Sequence, residues 1–192
     1  MSLIANKGMK YKFKTALCFM RLLLIFPGIQ WKNKKLMMDL SRWKEILSID
    51  DRDVLSLALL MSKYPEFRNL FLYRCKGGFY KRWVKFVYPP MDTLYLDTPE
   101  IGGGLFIQHG FATMIAAASI GENCWINQQV TIGHTGRGRP PIIGNNVTIT
   151  CGAKVLGPIT LGDNVTIGAN ACVVKDVEPG AVMGGVPAKR IR

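Results

Sequence analysis

The chain has 192 residues, is 48% hydrophobic and carries a formal net charge of +12. This length is sufficient for one or two modest domains with real cores, and the composition excludes an intrinsically disordered chain. The five cysteines form no C-x-x-C pair, and no secretory signal is apparent, so we expect reduced thiols in a cytoplasmic protein.

The positive charge is concentrated in the first half of the chain. Residues 1–90 hold 18 of the 25 Lys/Arg residues and 6 of the 13 Asp/Glu residues, whereas residues 91–192 hold seven of each. A change in charge of this kind favours two parts with different surroundings. We therefore predict a basic α-helical N-terminal domain over residues 1–90 and a second domain over residues 91–192.

Helical periodicity in the first part predicts helices at Lys35–Leu47 and Arg52–Ser62, and a helical, aromatic-rich arm at Phe67–Tyr88. The apolar run Leu17–Ile29 is too short to span a bilayer and has lysines on both sides. Two interpretations of this run stay open: a core or trimer-contact helix, and a helix lying on an anionic membrane surface. The chain contains no recognisable nucleic-acid-binding motif, so we expect no nucleic-acid partner.

The second half of the chain carries a six-residue repeat. A period of six matches neither an α-helix nor an alternating strand, and it predicts short strands and turns stacked coil on coil as a parallel β-helix. Each aliphatic residue of the repeat should point inward, with Gly and Asn at the corners. The aliphatic positions are Ile101, Ile107, Ile120, Ile126, Ile132, Ile143, Ile149, Val155, Leu161, Ile167 and Val173.

Two irregularities interrupt the repeat. The step from Ile107 to Ile120 is thirteen residues, which predicts one inserted residue near Thr113-Met114. The step from Ile132 to Ile143 is eleven, which predicts a loop at one corner. Loops inserted into such a scaffold tend to carry function.

Three segments of the second half are characteristic of a known family: Ile101-Gly-Gly-Gly-Leu-Phe-Ile-Gln-His109-Gly, Ile120-Gly-Glu-Asn-Cys-Trp-Ile-Asn-Gln-Gln-Val-Thr-Ile-Gly133 and Gly184-Gly-Val-Pro-Ala-Lys189, with weaker similarity at Tyr64-Pro-Glu-Phe-Arg68 and Tyr73-Arg74. They resemble the serine acetyltransferase branch of the hexapeptide acyltransferases, a branch that includes relatives acetylating capsule and exopolysaccharide sugars. The resemblance implies a left-handed parallel β-helix that trimerises, active sites between subunits, and acetyl-CoA as the donor. A homotrimer and a dimer of trimers are both compatible with this resemblance.

Acetyl transfer to a hydroxyl needs a general base of near-neutral pKa, and the chain has only two histidines. From the residues alone, His109 is either this base or a hydrogen-bonded turn histidine; the resemblance identifies it as the base. In the family an acidic residue orients this histidine. The matching position here is Leu94, and of the nearby Asp92 and Asp97 we favour Asp92.

Three residues are candidates for acceptor binding: Gln108, His134 and Arg139. The serine enzymes have an acid where this chain has Gln108, so the clamp for a charged amino group is incomplete and a sugar hydroxyl is the predicted acceptor. Arg139 would still pair with a carboxylate, and His134 is either an exposed loop residue or an acceptor contact at a subunit boundary.

The residues that match the family's CoA groove are small, which would let backbone groups approach the pantetheine arm, although they also fit the repeat consensus. Basic residues are candidates for phosphate contacts. The groove residues are Gly133, Thr135, Cys151, Gly152 and Ala169, and the basic candidates are Lys154, Lys189 and Arg190.

The sequence therefore predicts an acetyl-CoA-dependent O-acetyltransferase acting on a sugar of a surface polysaccharide. Serine O-acetylation in cysteine biosynthesis is the alternative enzyme, and an inactive β-helix scaffold is the alternative of another class. We expect no metal, because the zinc enzymes of this fold need three histidines. The expected location is the cytoplasm, at the inner face of the membrane if the membrane interpretation holds.

Overall fold

A computed structural model describes residues 16–136 and 138–192. Its first part is helical, and in the described part of the chain no helix is long and apolar enough to cross a membrane. The helices are α1 (residues 16–23), α2 (Lys34–Ile46), α3 (Asp53–Lys63), α4 (Pro65–Arg74) and α5 (Gly78–Val87), with a 3-10 turn at Phe26–Gly28.

The predictions for α2 and α3 are confirmed to within a residue at each end. The prediction of one helical arm at Phe67–Tyr88 is wrong, because the chain forms two helices with a break before Gly78. Gly77 precedes α5 as its N-cap and has φ +93°, a backbone conformation outside the right-handed helix that glycine adopts without strain.

The second part is the predicted left-handed parallel β-helix. Each coil contributes one strand to each of three sheets: sheet A holds β1, β4, β7, β10 and β13, sheet B holds β2, β5, β8 and β11, and sheet C holds β3, β6, β9, β12, β14 and the antiparallel β15. The strands are β1 (Leu94–Leu96), β2 (Glu100–Ile101), β3 (Phe106–Ile107), β4 (Thr113–Ile115), β5 (Ser119–Ile120), β6 (Trp125–Ile126), β7 (Thr131–Gly133), β8 (Ile142–Ile143), β9 (Thr148–Ile149), β10 (Lys154–Leu156), β11 (Thr160–Leu161), β12 (Thr166–Ile167), β13 (Cys172–Val173), β14 (Val182–Gly184) and β15 (Lys189–Arg190).

The repeat residues stack inward as predicted. In sheet B, Ile101, Ile120, Ile143 and Leu161 lie in register, and each is at most 2% exposed. Sheet C is built in the same way on the isoleucines of β3, β6, β9 and β12. Each coil therefore buries its apolar face against its neighbours, which is how a solenoid is stabilised.

The position of the first irregularity is not the predicted one. Thr113 and Met114 lie inside strand β4 and are paired with β1, so no insertion lies there. Ile115 is the sheet A core residue that the spacing analysis missed, and it pairs with Ile132. The step from Ile107 to Ile115 is eight residues against six in the coils below, so residues 108–113 include two more residues than their counterpart at 127–130.

The helical domain covers the open end of the first coil. Trp43 is 1% exposed, packs 4.6 Å from the Phe106 ring, and donates a hydrogen bond from Nε1 to the Leu105 carbonyl oxygen (2.9 Å). Asn69 donates to the carbonyl oxygens of Met91 and Leu94 at 2.9 and 3.0 Å. The two parts share one continuous core.

A buried ion pair links the same two parts. Asp39 accepts hydrogen bonds from the Gly104 and Leu105 amides (2.8 and 3.1 Å) and from Arg74 Nε (2.8 Å). Arg74 also donates to the carbonyl oxygens of Ile101 (2.7 Å) and Gly102 (2.6 Å). The two side chains are only 0% and 4% exposed, so the charges depend on each other and on the backbone of the first coil. Burial is the main cause that raises the pKa of Asp39, and its bonds to Arg74 oppose that rise.

We predict that Asp39→Ala lowers the free energy of unfolding by about 3–5 kcal/mol, because it leaves the Arg74 charge buried without a partner. Lys35→Ala is the matched control, because the exposed Lys35–Glu100 pair (3.4 Å) also joins α2 to the β-helix. Surface pairs of this kind contribute about 0–1 kcal/mol. Urea unfolding would measure both, and equal losses would contradict the assigned role of the buried pair.

Candidate active site

His109 lies at the corner between strands β3 and β4, in the longer turn of the first coil. It is exposed and has φ +57°, a left-handed conformation that is uncommon for residues other than glycine, although asparagine, aspartate and histidine adopt it more often than the rest. The Phe111 amide donates to the His109 carbonyl oxygen. Among the described residues the imidazole has no hydrogen-bond partner, so the structure does not support a hydrogen-bonded turn histidine.

Corners of the lower coils stack beneath His109 and form what we call the C–A edge, at residues 108–112, 127–130, 150–153 and 168–171. Backbone hydrogen bonds connect successive corners, from Gln129 N to Phe111 O (3.1 Å), from Gly152 N to Gln128 O (3.0 Å) and from Asn170 N to Cys151 O (2.9 Å). With about 4.8 Å between strands, Ala169 lies about 14 Å below His109.

Three predicted CoA-groove residues, Cys151, Gly152 and Ala169, lie on this edge. Gly152 has φ +71°, and a Cβ atom there would collide with Asn170 Oδ1, so only glycine fits. Lys154 is on the adjoining strand β10, and its Nζ donates to the Gln129 carbonyl oxygen (2.7 Å). In its two lower corners, at residues 150–153 and 168–171, the edge thus forms a track of mainly small residues with the Lys154 amine beside it.

The remaining groove and acceptor residues lie across sheet A, on what we call the A–B edge, where the loop of residues 133–141 leaves the coil. Gly133 ends strand β7, and no atom lies within 4 Å of where a Cβ would stand. His134 and Thr135 are exposed, and His134 Nδ1 is 3.1 Å from the Gly136 carbonyl oxygen. Arg139 is exposed, with Nη2 3.4 Å from Thr160 Oγ1.

Within one chain the structure therefore does not bring the predicted site residues together. His109 and Gln108 occupy one edge of sheet A, whereas His134 and Arg139 occupy the other. Lys189 is exposed on β15, at the C-terminal end of sheet C. A reaction that uses both edges needs two copies of the chain.

The residues that pack around Gly110 show which acidic side chain lies close to the corner that carries His109. Asp92 is exposed in the loop before β1, and its side chain makes no hydrogen bond to the described residues. Leu94 points inward and is 4% exposed, with Cδ2 3.0 Å from where a Cβ on Gly110 would stand. Glu66 Cγ is 3.1 Å from that same point, and Glu66 is only 7% exposed.

The sequence analysis missed two residues of this corner. Glu66, in the first turn of α4, belongs to the segment from Tyr64 to Arg68 that carries the weak resemblance, but nothing in the sequence places it beside Gly110. Asn127 donates from Nδ2 to Gln108 Oε1 (3.0 Å), one coil below. The signal for Asn127 was available, because it follows Ile126 just as Gln108 follows Ile107.

The cysteines are all free, as predicted. Burial raises the pKa of the Cys75 and Cys124 thiols to about 11, which keeps both protonated and unreactive near neutral pH. Over residues 16–136 and 138–192, the structure contains no group of three or more His, Cys, Asp or Glu side chains arranged to hold a metal.

Comparison with known proteins identifies relatives of the whole fold. Residues 140–175 match the family model described as bacterial transferase hexapeptide (six repeats). A serine acetyltransferase of Helicobacter pylori (strain J99 / ATCC 700824) is 36% identical over 167 residues, which is 81% of this chain and 98% of that protein. One from Synechococcus elongatus is 43% identical over 140 residues, covering 67% of this chain and 57% of that protein.

The crystal structure of Neisseria gonorrhoeae serine acetyltransferase in complex with serine is also similar, with a TM-score of 0.65 and 26% identity over 83% of this chain and 68% of that chain. These relatives are named for serine, so the prediction of a polysaccharide sugar as acceptor is wrong. That prediction relied on the neutral side chain of Gln108, which the structure shows engaged by Asn127 within the corner stack and which therefore does not by itself define an acceptor. The chain belongs to the serine acetyltransferase family of hexapeptide-repeat acyltransferases.

Proposed function

We propose that this protein is an acetyl-CoA-dependent serine O-acetyltransferase with His109 as its general base. The observation that carries the proposal is the exposed imidazole of His109, which has no hydrogen-bond partner within residues 16–136 and 138–192, in a chain that matches 98% of the length of a serine acetyltransferase. Membership of an acyltransferase family favours this enzyme over the inactive scaffold. We place the reaction in the cytoplasm, where five free thiols stay reduced.

His109 removes the proton from the serine hydroxyl as the oxygen attacks the thioester carbonyl carbon of acetyl-CoA. The carbon–sulfur bond then breaks, the acetyl group remains on the serine oxygen, and the imidazolium returns its proton to the departing thiolate of CoA. Histidine suits both steps because its pKa lies near neutrality.

Free serine carries an ammonium and a carboxylate, and the candidate acceptor-binding residues differ in which of these two groups they can bind. The Arg139 guanidinium suits the carboxylate. Gln108 Oε1 accepts one hydrogen bond from Asn127, and a carbonyl oxygen has a second lone pair with which it can accept from the serine ammonium. His134 remains a predicted acceptor contact from the same loop as Arg139.

We also propose a homotrimer in which a neighbouring copy places its A–B edge against the C–A edge that carries His109. The support is the position of exposed apolar side chains: Tyr95 and Met114 pair on the outer face of sheet A at 57% and 47% exposure, and Phe111 is 46% exposed two residues after His109. Burial of such side chains stabilises association. Arg139 and His134 of one copy would then approach His109 of the next.

Acetyl-CoA would extend along the C–A edge past Cys151, Gly152 and Ala169, with Gly133 and Thr135 supplied by the neighbouring A–B edge. Lys154 would be the amine closest to this track, and Lys189 stays a predicted phosphate contact.

The main experiment measures thiol release from acetyl-CoA with L-serine and with a panel of sugars. We expect serine to be the preferred acceptor and His109→Ala to lower kcat by about 10²–10⁴-fold, because the general base is lost, with CoA affinity by calorimetry unchanged. His134→Ala is the matched control and should raise the KM for serine more than it lowers kcat. Faster turnover of a sugar than of serine, or a His109→Ala variant with wild-type kcat, would contradict the proposal.

A bulky side chain on the C–A edge should block the donor. Ala169 is exposed, so Ala169→Trp leaves the core intact but fills the track, and we expect the KM for acetyl-CoA to rise at least tenfold. Glu178→Trp adds the same side chain at an exposed position outside both edges and should change neither KM. Equal effects of the two variants in steady-state kinetics would exclude the proposed track.

The acid that orients His109 can be identified by comparing Glu66→Gln with Asp92→Asn. Asp92 is the residue predicted from the sequence, but Glu66 is buried against Gly110, and its position in the first turn of α4 favours a negative charge. We therefore propose Glu66 as the positioning residue for His109.

A carboxylate beside an imidazole holds the ring in one orientation and stabilises the imidazolium that forms when the base takes its proton. Its removal in Glu66→Gln should lower kcat at least tenfold and leave the KM for serine and for acetyl-CoA near their wild-type values. Asp92→Asn should leave kcat unchanged. The reverse pattern would return the role to Asp92, and a loss of stability without the fall in kcat would make Glu66 purely structural.

A further inference from the structure

Large apolar side chains are exposed on two neighbouring helices of the N-terminal domain. On α5, Phe79, Trp83 and Phe86 are 83%, 40% and 78% exposed, and their spacing of four and three places them on one helical face. In and just after α1, Leu17, Met20 and Leu24 are 54%, 58% and 57% exposed with the spacing of three and four that also defines one face. We call these six residues the apolar patch.

Three hydrogen bonds hold the end of α1 and the residues that follow it against α5, and so connect the two halves of the patch. Trp83 Nε1 donates to the Leu24 carbonyl oxygen (2.8 Å), and Tyr80 Oη donates to that of Ile25 (2.8 Å). At the other end, Arg21 Nε donates to the Val87 carbonyl oxygen (3.0 Å). The patch is therefore one preformed surface on an antiparallel helix pair.

The charge around the apolar patch has a single sign. Residues 16–38 and 67–91 contain ten Lys/Arg residues and no Asp or Glu, and of these ten Arg74 and Lys35 are paired with Asp39 and Glu100 outside the two ranges. Arg82 lies on the same face of α5 as Phe79 and Phe86, and Lys81 and Lys85 are exposed beside it. The preceding residues 1–15 add four more lysines and no acid to the sequence.

We propose that the apolar patch docks on an anionic lipid surface, with the aromatic side chains at the acyl boundary and the basic side chains among the headgroups. Aromatic residues on an apolar face and Lys/Arg around it are the features of an interfacial helix pair, and each basic residue near an anionic leaflet adds to the attraction. The enzyme would thus work at a membrane surface while its β-helix remains in water.

Charge argues against a second copy of this chain as the occupant. A two-fold contact would place the same patch on both sides of the interface, so two strongly basic surfaces would face each other without an acid between them. An anionic bilayer satisfies the apolar and the charged requirement together.

The test is sedimentation of the full-length protein with vesicles of phosphatidylglycerol and phosphatidylcholine, and with vesicles of phosphatidylcholine alone. We expect binding to the anionic vesicles that weakens when salt is raised, because salt screens the basic side chains. The double variant Phe79→Ser/Phe86→Ser should bind at least tenfold more weakly. The control Val174→Ser/Ile191→Ser, which removes exposed apolar side chains from the β-helix, should bind like wild type.

Serine acetylation by the Phe79→Ser/Phe86→Ser variant should equal that of wild type, which confirms its fold. Absence of salt-sensitive binding to anionic vesicles would overturn the proposal, and so would equal binding by both double variants. If analytical ultracentrifugation without lipid shows that Phe79→Ser/Phe86→Ser splits a larger assembly, the patch is a contact between copies and the proposal is wrong.

Discussion

The first coil of a parallel β-helix has no coil above it, so the end of the stack exposes backbone groups and apolar side chains that every other coil shares with a neighbour. In this protein the helical domain covers that end of the stack and supplies the missing partners. Asp39 accepts from two backbone amides of the first coil, Arg74 donates to two of its carbonyl oxygens, and Trp43 closes the core above Phe106. His109, the proposed general base, lies in this same coil, so the contacts that complete the fold also hold its corner in place.

The regular coils of the β-helix could be predicted from the sequence because each coil makes its core contacts only with its neighbours. Each aliphatic side chain of the repeat needs only its counterparts one coil away, so a spacing of six predicts the three sheets and their core. A single inserted residue was predicted near Thr113-Met114, because the count used Ile120 as its next landmark. Ile115, five residues before Ile120 instead of six, was hidden by the compensating shorter corner.

The site was harder to predict because its parts are distant in sequence. Glu66 and Gly110 are 44 residues apart, and only the docking of α4 on the first coil brings them together. Gln108 and Arg139 lie on opposite edges of sheet A, and this separation likewise depends on how the coils fold and not on the distance between the two residues in the sequence. Interpretation of Gln108 alone led to the wrong acceptor, because the chemistry of one corner was taken for the chemistry of a site that two chains would build.

The left-handed backbone of His109 has a cost that glycine or asparagine would avoid. Positive φ recurs along this edge at Ala112, Gln129, Gly152 and Asn170, and for a residue with a Cβ atom this conformation costs about 1 kcal/mol relative to glycine. Asparagine or glycine at position 109 would therefore relax the corner, but neither can act as the proposed general base. At this position selection for stability and selection for the proposed activity favour different residues, and a screen for thermostable variants alone would tend to replace His109.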